Sequence, residues 1–147
     1  MIKQNAFECC SLNYIRMPRK LKELGVTAFR NSALKKITVY GKVELDETFK
    51  YCKKLKTVVL KKGVKELGEL VFHECPKLRS VTVPKGIKNL GWNIDSIFYY
   101  RGLKCNLSKI TIKTPKNSEM YKERKFLKKR YLSLIHISEP TRLALIS

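Results

Sequence analysis

Two side-chain types in this chain are equipped for chemistry: five cysteines, at positions 9, 10, 52, 75 and 105, and two histidines, at 73 and 136. A thiolate beside an imidazole makes a nucleophile with its base, and paired Cys-x-x-Cys spacings hold zinc. Neither arrangement is written here. The cysteines are odd in number and unpaired in spacing, so reduced thiols are expected rather than a full disulfide set or structural zinc. His73 reads as an exposed loop or helix residue, not a general base. Glu44, Asp46 and Glu47 cluster beside Lys42 and Lys50, which favours solvated ion pairs over metal binding. Nucleophile-elbow, zinc-protease, phosphate-loop and dinucleotide fingerprints are all missing from the sequence. No catalytic residue, metal or cofactor is expected, and binding is the positive reading.

The charge balance offers the second kind of chemistry. Against 12 Asp+Glu stand 32 Lys+Arg, a formal charge of +20, which attracts nucleic acid, anionic lipid or acidic glycan without fixing a fold. Lysine pairs at 35–36, 53–54 and 61–62 precede a denser cluster of Lys122, Arg124, Lys125, Lys128, Lys129 and Arg130. That cluster is the candidate polyanion patch. With 147 residues, 44% of them hydrophobic, the chain is long enough for one cored domain. No apolar run is long enough to cross a membrane.

The elements that must position these groups come from a repeat. Leu12-Asn-Tyr-Ile-Arg-Met-Pro18, Leu34-Lys-Lys-Ile-Thr-Val-Tyr40, Leu55-Lys-Thr-Val-Val-Leu-Lys61, Leu78-Arg-Ser-Val-Thr-Val-Pro84 and Leu107-Ser-Lys-Ile-Thr-Ile-Lys113 share one pattern, with leading leucines 22, 21, 23 and 29 residues apart. Alternating β-branched residues predict short strands with one buried face. Before most of these strands, Phe7, Phe29, Phe49 and Phe72 are followed three residues later by Cys10, Ser32, Cys52 and Cys75, which predicts a short helix or 3₁₀ turn carrying an aromatic plug. The segments ending at Gly25, Asp46, Gly68 and Gly91 close each unit, and the glycines are expected to supply a positive-φ bend. No unit buries its apolar side alone, so the units must stack.

The expected fold is an α/β solenoid, a leucine-rich repeat stack of short parallel strands with short helical turns. Cys10, Cys52 and Cys75 then stack inside it as small hydrophobes. Outward strand positions form a candidate interaction face: Tyr14 and Arg16, Lys36 and Thr38, Thr57 and Val59, Ser80 and Thr82, and Lys109 and Thr111. Such a rigid, polar face suits a protein or glycan partner. Nucleic acid is less favoured, because most aromatics fall on ladder positions and leave no stacking platform. No specific oligomer is expected.

From Val71-Phe72-His-Glu-Cys75 through Leu78, Val81, Val83, Pro84, Ile87, Leu90 and Gly91, the pattern resembles the Treponema-type or BspA-like leucine-rich repeats. The resemblance implies a non-catalytic surface or secreted protein that mediates adhesion or protein interaction. It assigns residues 1–113 to a repeat array, truncated at its N-terminus because Met1 falls inside a unit, and 114–131 to a capping turn and basic helix. Within the cap, Ser118 is expected as N-cap, with Phe126 and Leu127 extending an apolar side. Residues 132–147 resemble the translation of a sequencing-library transposon adapter. They are expected to be a non-native tail, poorly packed or arbitrarily helical, with no function for His136.

Overall fold

The computed structural model describes residues 1–91, 94–98, 110–131 and 135–139. Its strands are β1 (Lys36–Val39), β2 (Glu44–Leu45), β3 (Thr57–Leu60), β4 (Glu66–Leu67), β5 (Ser80–Thr82), β6 (Ile110–Lys113) and β7 (Ile135–Ser138); a 3₁₀ turn at Ile94–Ile97 precedes β6, and the helices α1 (Glu119–Lys122) and α2 (Arg124–Tyr131) follow it. The longer strands form one parallel sheet in the order β1-β3-β5-β6-β7, and β2 pairs with β4 in a second. Two units thus lend one strand to the first sheet (β1, β3), a shorter one to the second (β2, β4), and a turn to a third side.

Inward alternation builds the core. Ile37, Val58 and Val81 are paired neighbours across β1, β3 and β5 and are buried, as are Val39 and Leu60. Buried Leu45 and Leu67 face them from the second sheet. The third side is closed by phenylalanines. Phe7, Phe29, Phe49 and Phe72 stack with centroids 5.2, 5.8 and 6.0 Å apart, and Phe98 continues the column at 5.9 Å.

The segments carrying these rings are not helices. Within a unit they are linked by i→i−3 bonds, as Cys52 N–H donates to Phe49 at 3.1 Å and Lys50 N–H to Glu47 at 3.1 Å. The intervening N–H groups instead donate to the next unit: Glu47 to Glu69, Phe49 to Val71 and Tyr51 to His73, at 2.9, 3.1 and 2.8 Å. That alternation requires left-handed backbone two residues before and two residues after each phenylalanine. It is found at Asn5 and Cys9, Thr27 and Asn31, Glu47 and Tyr51, and Leu70 and Glu74. A helix would turn all these donors back on their own segment, so inter-unit bonding displaces the expected helical turn.

The glycines differ from expectation for a related reason. Gly91 has positive φ, but Gly25 and Gly68 do not. Their lack of a side chain serves close approach: a Cβ at Gly68 would lie 2.8 Å from the Leu45 carbonyl oxygen and 3.0 Å from Asp46 Oδ1. Asp46, where other units have glycine, uses that oxygen to accept the Glu69 N–H at 3.0 Å.

At the C-terminal end, Ser118 is the N-cap of α1, accepting the Tyr121 N–H at 3.1 Å and sharing a 2.8 Å hydrogen bond with Thr114. Met120 and Leu127 are buried, but Phe126 turns outward and stays 43% exposed. The tail also departs from expectation. Ile135–Ser138 pairs with β6, placing Ile137 in the core, and Glu139 lies 3.5 Å from Lys116. Its Ile-His-Ile alternation matches the open edge of β6, and an unpaired strand edge is a template for any such segment. Tail residues 132–134 and 140–147 fall outside the described residues.

Gly68→Ala is expected to lower stability by about 1–3 kcal/mol, because backbone must move to admit the methyl group. Gly86→Ala, where a Cβ meets nothing within 4 Å, should remain within about 0.5 kcal/mol of the parent or gain slightly. Urea unfolding of the two variants side by side checks both.

Candidate interaction site

The outward strand positions fall into two rows. One runs Lys36, Thr57, Ser80, Thr111 and the other Thr38, Val59, Thr82, Lys113. Thr111 therefore sits beside Ser80, not Thr82, and Lys113 completes the second row. The last strand is offset by two residues from the leucine-based alignment. The offset is set by Thr111 N–H donating to Arg79 and Val83 N–H to Lys113, both at 2.8 Å. A two-residue slip keeps every side chain on its own face, so alternation alone does not distinguish the registers. Lys109 lies outside the described residues.

Ahead of β1, the chain from Leu12 to Pro18 runs alongside without becoming a regular strand. Lys35 N–H donates to Asn13 at 3.0 Å and Ala33 N–H to Cys10 at 2.9 Å. The alternation still holds: Met17 is buried and Ile15 half-buried, while Tyr14 is 62% exposed and Arg16 points out. Pro18, with no N–H to give, ends the run. Arg19 then returns over the Tyr40 ring, its guanidinium carbon 5.8 Å from the centroid.

These pieces enclose a groove of about 440 Å³ lined by Tyr14, Arg16, Arg19, Lys36, Thr38 and Tyr40, above Ile15 and Met17. Four of the face residues expected from the sequence meet here. Arg19 and Tyr40 were missed, because they lie outside the strand pattern and only the path around Pro18 brings them in. No carboxylate lines the groove. Three cations beside two phenol rings form a surface that accepts an acidic or aromatic side chain, and tyrosine and arginine are the residues that most often anchor protein interfaces.

The basic cluster at the other end is less available than its sequence implies. Lys122 is held 2.7 Å from Glu119. Arg124 lies 4.4 Å over the Tyr121 ring and donates to the Tyr121 carbonyl oxygen at 3.2 Å. Lys125 and Lys129 are exposed on α2; the side chains of Lys128 and Arg130 lie outside those described.

His73 is buried, with 5% of its surface exposed, where a solvent-exposed position was expected. It packs edge-on to Tyr51 at 5.6 Å, and its Nδ1 has no hydrogen-bond partner among the described residues. The turn geometry brings side chains of adjacent units together on this side, as with Glu8 and Arg30 at 3.5 Å. Lys50 pairs within its own unit, with Glu47 at 2.6 Å. Burial holds the imidazole below its usual value; Glu74 opposes the shift and Lys50 adds to it.

The cysteines behave as core groups. Cys52 and Cys75 Sγ each donate to the carbonyl oxygen of the phenylalanine one unit back, Phe29 and Phe49, at 3.0 Å. Ser32 takes the equivalent place, its Oγ 3.4 Å from Cys52 Sγ. Burial pushes the Cys52 thiol up, away from nucleophilic thiolate. Cys9, Cys10 and Cys52 are free thiols; Cys105 lies outside the described residues. The acid cluster disperses: Glu44 pairs with Lys65 at 3.8 Å, Glu47 with Lys50, and Asp46 binds backbone. No group of three or more metal-ligating side chains gathers among the described residues.

A stack of parallel single-strand units with a uniform outward face is the architecture of a leucine-rich repeat solenoid. The chain belongs to the BspA type leucine rich repeat family: that region's model, in six copies, matches residues 1–104 and 46–144. No curated protein and no solved structure matches the chain.

Two outcomes follow. The unfolded chain protonates at His73 before the folded one, so stability from this residue is complete above pH 6.5 and is lost as pH falls below it, by at most about 1.4 kcal/mol per unit. Melting temperature should therefore drop between pH 7.5 and 5.5, and His73→Phe should flatten that slope. In native-state alkylation followed by peptide mass spectrometry, Cys9 should be modified rapidly, whereas Cys52 and Cys75 should react only after unfolding.

Proposed function

We propose that this chain is a binding module that holds a protein partner on its strand face, anchored in the groove of Tyr14, Arg16, Arg19, Lys36, Thr38 and Tyr40, and that it serves adhesion or protein interaction at a cell surface. Leucine-rich repeats are in general scaffolds for protein interaction, and solenoids offer extended, rigid surfaces for it. The observation that carries the assignment is the groove itself. It sets two tyrosines and three cations around an opening with no acid of its own, next to rows of serine and threonine that add hydrogen-bonding capacity along the sheet. No described helix is long and apolar enough to cross a membrane.

Charge alone does not explain this composition. A sulfated glycan or anionic lipid surface gains from cations spread along an edge and has no need of exposed phenol rings. A rigid partner surface uses the rings for contact area at little entropic cost and the arginines for orientation.

Selection of a displayed peptide library on the parent chain, with counter-selection on a Tyr14→Ser/Arg16→Ser variant, tests the assignment. Binders are expected whose affinity falls about tenfold or more in that variant, survives moderate salt, and is unchanged by Lys125→Ala/Lys129→Ala. Binders lost in the α2 variant instead, with a steep salt dependence, would refute the strand-face assignment.

A further inference from the structure

A second groove, sharing no lining residue with the first, opens at the C-terminal ends of β3, β5 and β6 and encloses about 580 Å³. Half-buried Pro84 and Pro115 supply apolar surface to it, and the core residues Leu60, Val83 and Ile87 lie beneath, each no more than 2% exposed. Lys61, Lys62, Lys85 and Lys88 stand around it. The single acid in the lining, Glu119, is held by Lys122 at 2.7 Å. No carboxylate among the described residues pairs with Lys62, Lys85 or Lys88.

We propose that this groove docks a short acidic peptide segment of a partner protein, with an aliphatic or aromatic side chain seated against Pro84 and Pro115 and its carboxylates among the lysines. Charge complementarity sets the sign of the occupant, since lysines surround one neutralised acid. The prolines set its class. A sulfated glycan or a nucleic-acid backbone has the charge but little apolar surface to set against Pro84 and Pro115, and it would leave both prolines facing water. A peptide supplies both from adjacent residues. The prolines also exclude docking by strand addition, because neither offers an N–H to a neighbouring backbone. Recognition must therefore run through side chains.

Gly86 provides a clean way to close the groove. It lines the mouth, its φ is not positive, and a side chain built there meets nothing within 4 Å. Gly86→Trp should fill the opening without disturbing the fold, as a melt followed by circular dichroism verifies. The probes for the full-length chain are a labelled peptide with a leucine–phenylalanine pair flanked by glutamates, an all-glutamate peptide of equal length, and a heparin hexasaccharide, compared by fluorescence anisotropy. The anchored peptide is expected to bind at least about tenfold more tightly than the all-glutamate one. Measured in the Tyr14→Ser/Arg16→Ser background, so that the first groove does not contribute, its affinity should fall by a similar factor in Lys62→Glu/Lys85→Glu/Lys88→Glu and in Gly86→Trp. Absence of binding, equal binding of the all-glutamate peptide, tighter binding of the heparin fragment, or insensitivity to Gly86→Trp would each overturn the proposal.

Discussion

The structure depends on backbone N–H groups that each unit donates to the next along the phenylalanine turns. Phe7 donates to Ala28, Phe29 to Thr48, Phe49 to Val71 and Phe72 to Ile97, at 2.8 to 3.1 Å. This ladder fixes the unit spacing on the third side of the solenoid as strand pairing does on the first. The rings follow it, with centroid separations of 5.2 to 6.0 Å, slightly wider than the separation of about 4.8 Å between paired strands. The cost is left-handed backbone at non-glycine residues, roughly 1–2 kcal/mol each. Only Asn5 and Asn31 among them belong to a type that visits this conformation readily. Burial of a phenylalanine in every unit offsets that cost, since loss of one buried ring destabilises a domain by about 3–5 kcal/mol.

Because the interior is filled by Leu, Ile, Val, Phe and thiol columns, nearly all charge is driven outward. Charged side chains then compete for the same surface. Some are absorbed between units, as in the column from Glu8 and Arg30 to Lys50, Tyr51 and His73, where Arg30 and Lys50 lie 5.5 and 5.6 Å from the Tyr51 ring. What remains is divided by geometry. The strand face is mainly Ser and Thr with cations and phenols at one end, whereas the ends of the strands collect lysines around half-buried Pro84 and Pro115. A net charge of +20 is thus divided among separate surfaces.

The C-terminal cap shows how local and tertiary signals share the work. Ser118 caps α1 in the manner its hydroxyl predicts. The depth of burial along α2 is decided by the surface beneath it, so Leu127 goes in and Phe126 stays out. Beyond the helix, Ile135–Ser138 joins the sheet because β6 presents an open edge and the segment has the right alternation. Pairing of this kind needs little more than that alternation, which is why a stretch that departs from the repeat consensus still forms a strand.

The sequence by itself determined the repeat, the parallel strands, the inward Leu, Ile, Val and Phe columns, and the stacking of Cys52 and Cys75, because burial on a fixed period leaves a periodic trace in residue type. It also placed Tyr14, Arg16, Lys36 and Thr38 on one face, since alternation separates inside from outside. Only the tertiary structure decided the features that leave no such trace. The two-residue offset of β6 preserves alternation, so only bonds such as that from Thr111 to Arg79 choose it. Gly68 serves the approach of Leu45, a neighbour one unit away. His73 is buried where it packs against Tyr51 of the adjacent unit, a contact that its own segment does not announce. Both grooves join residues from different units and from outside the strand pattern, and such convergence exists only once the units are stacked.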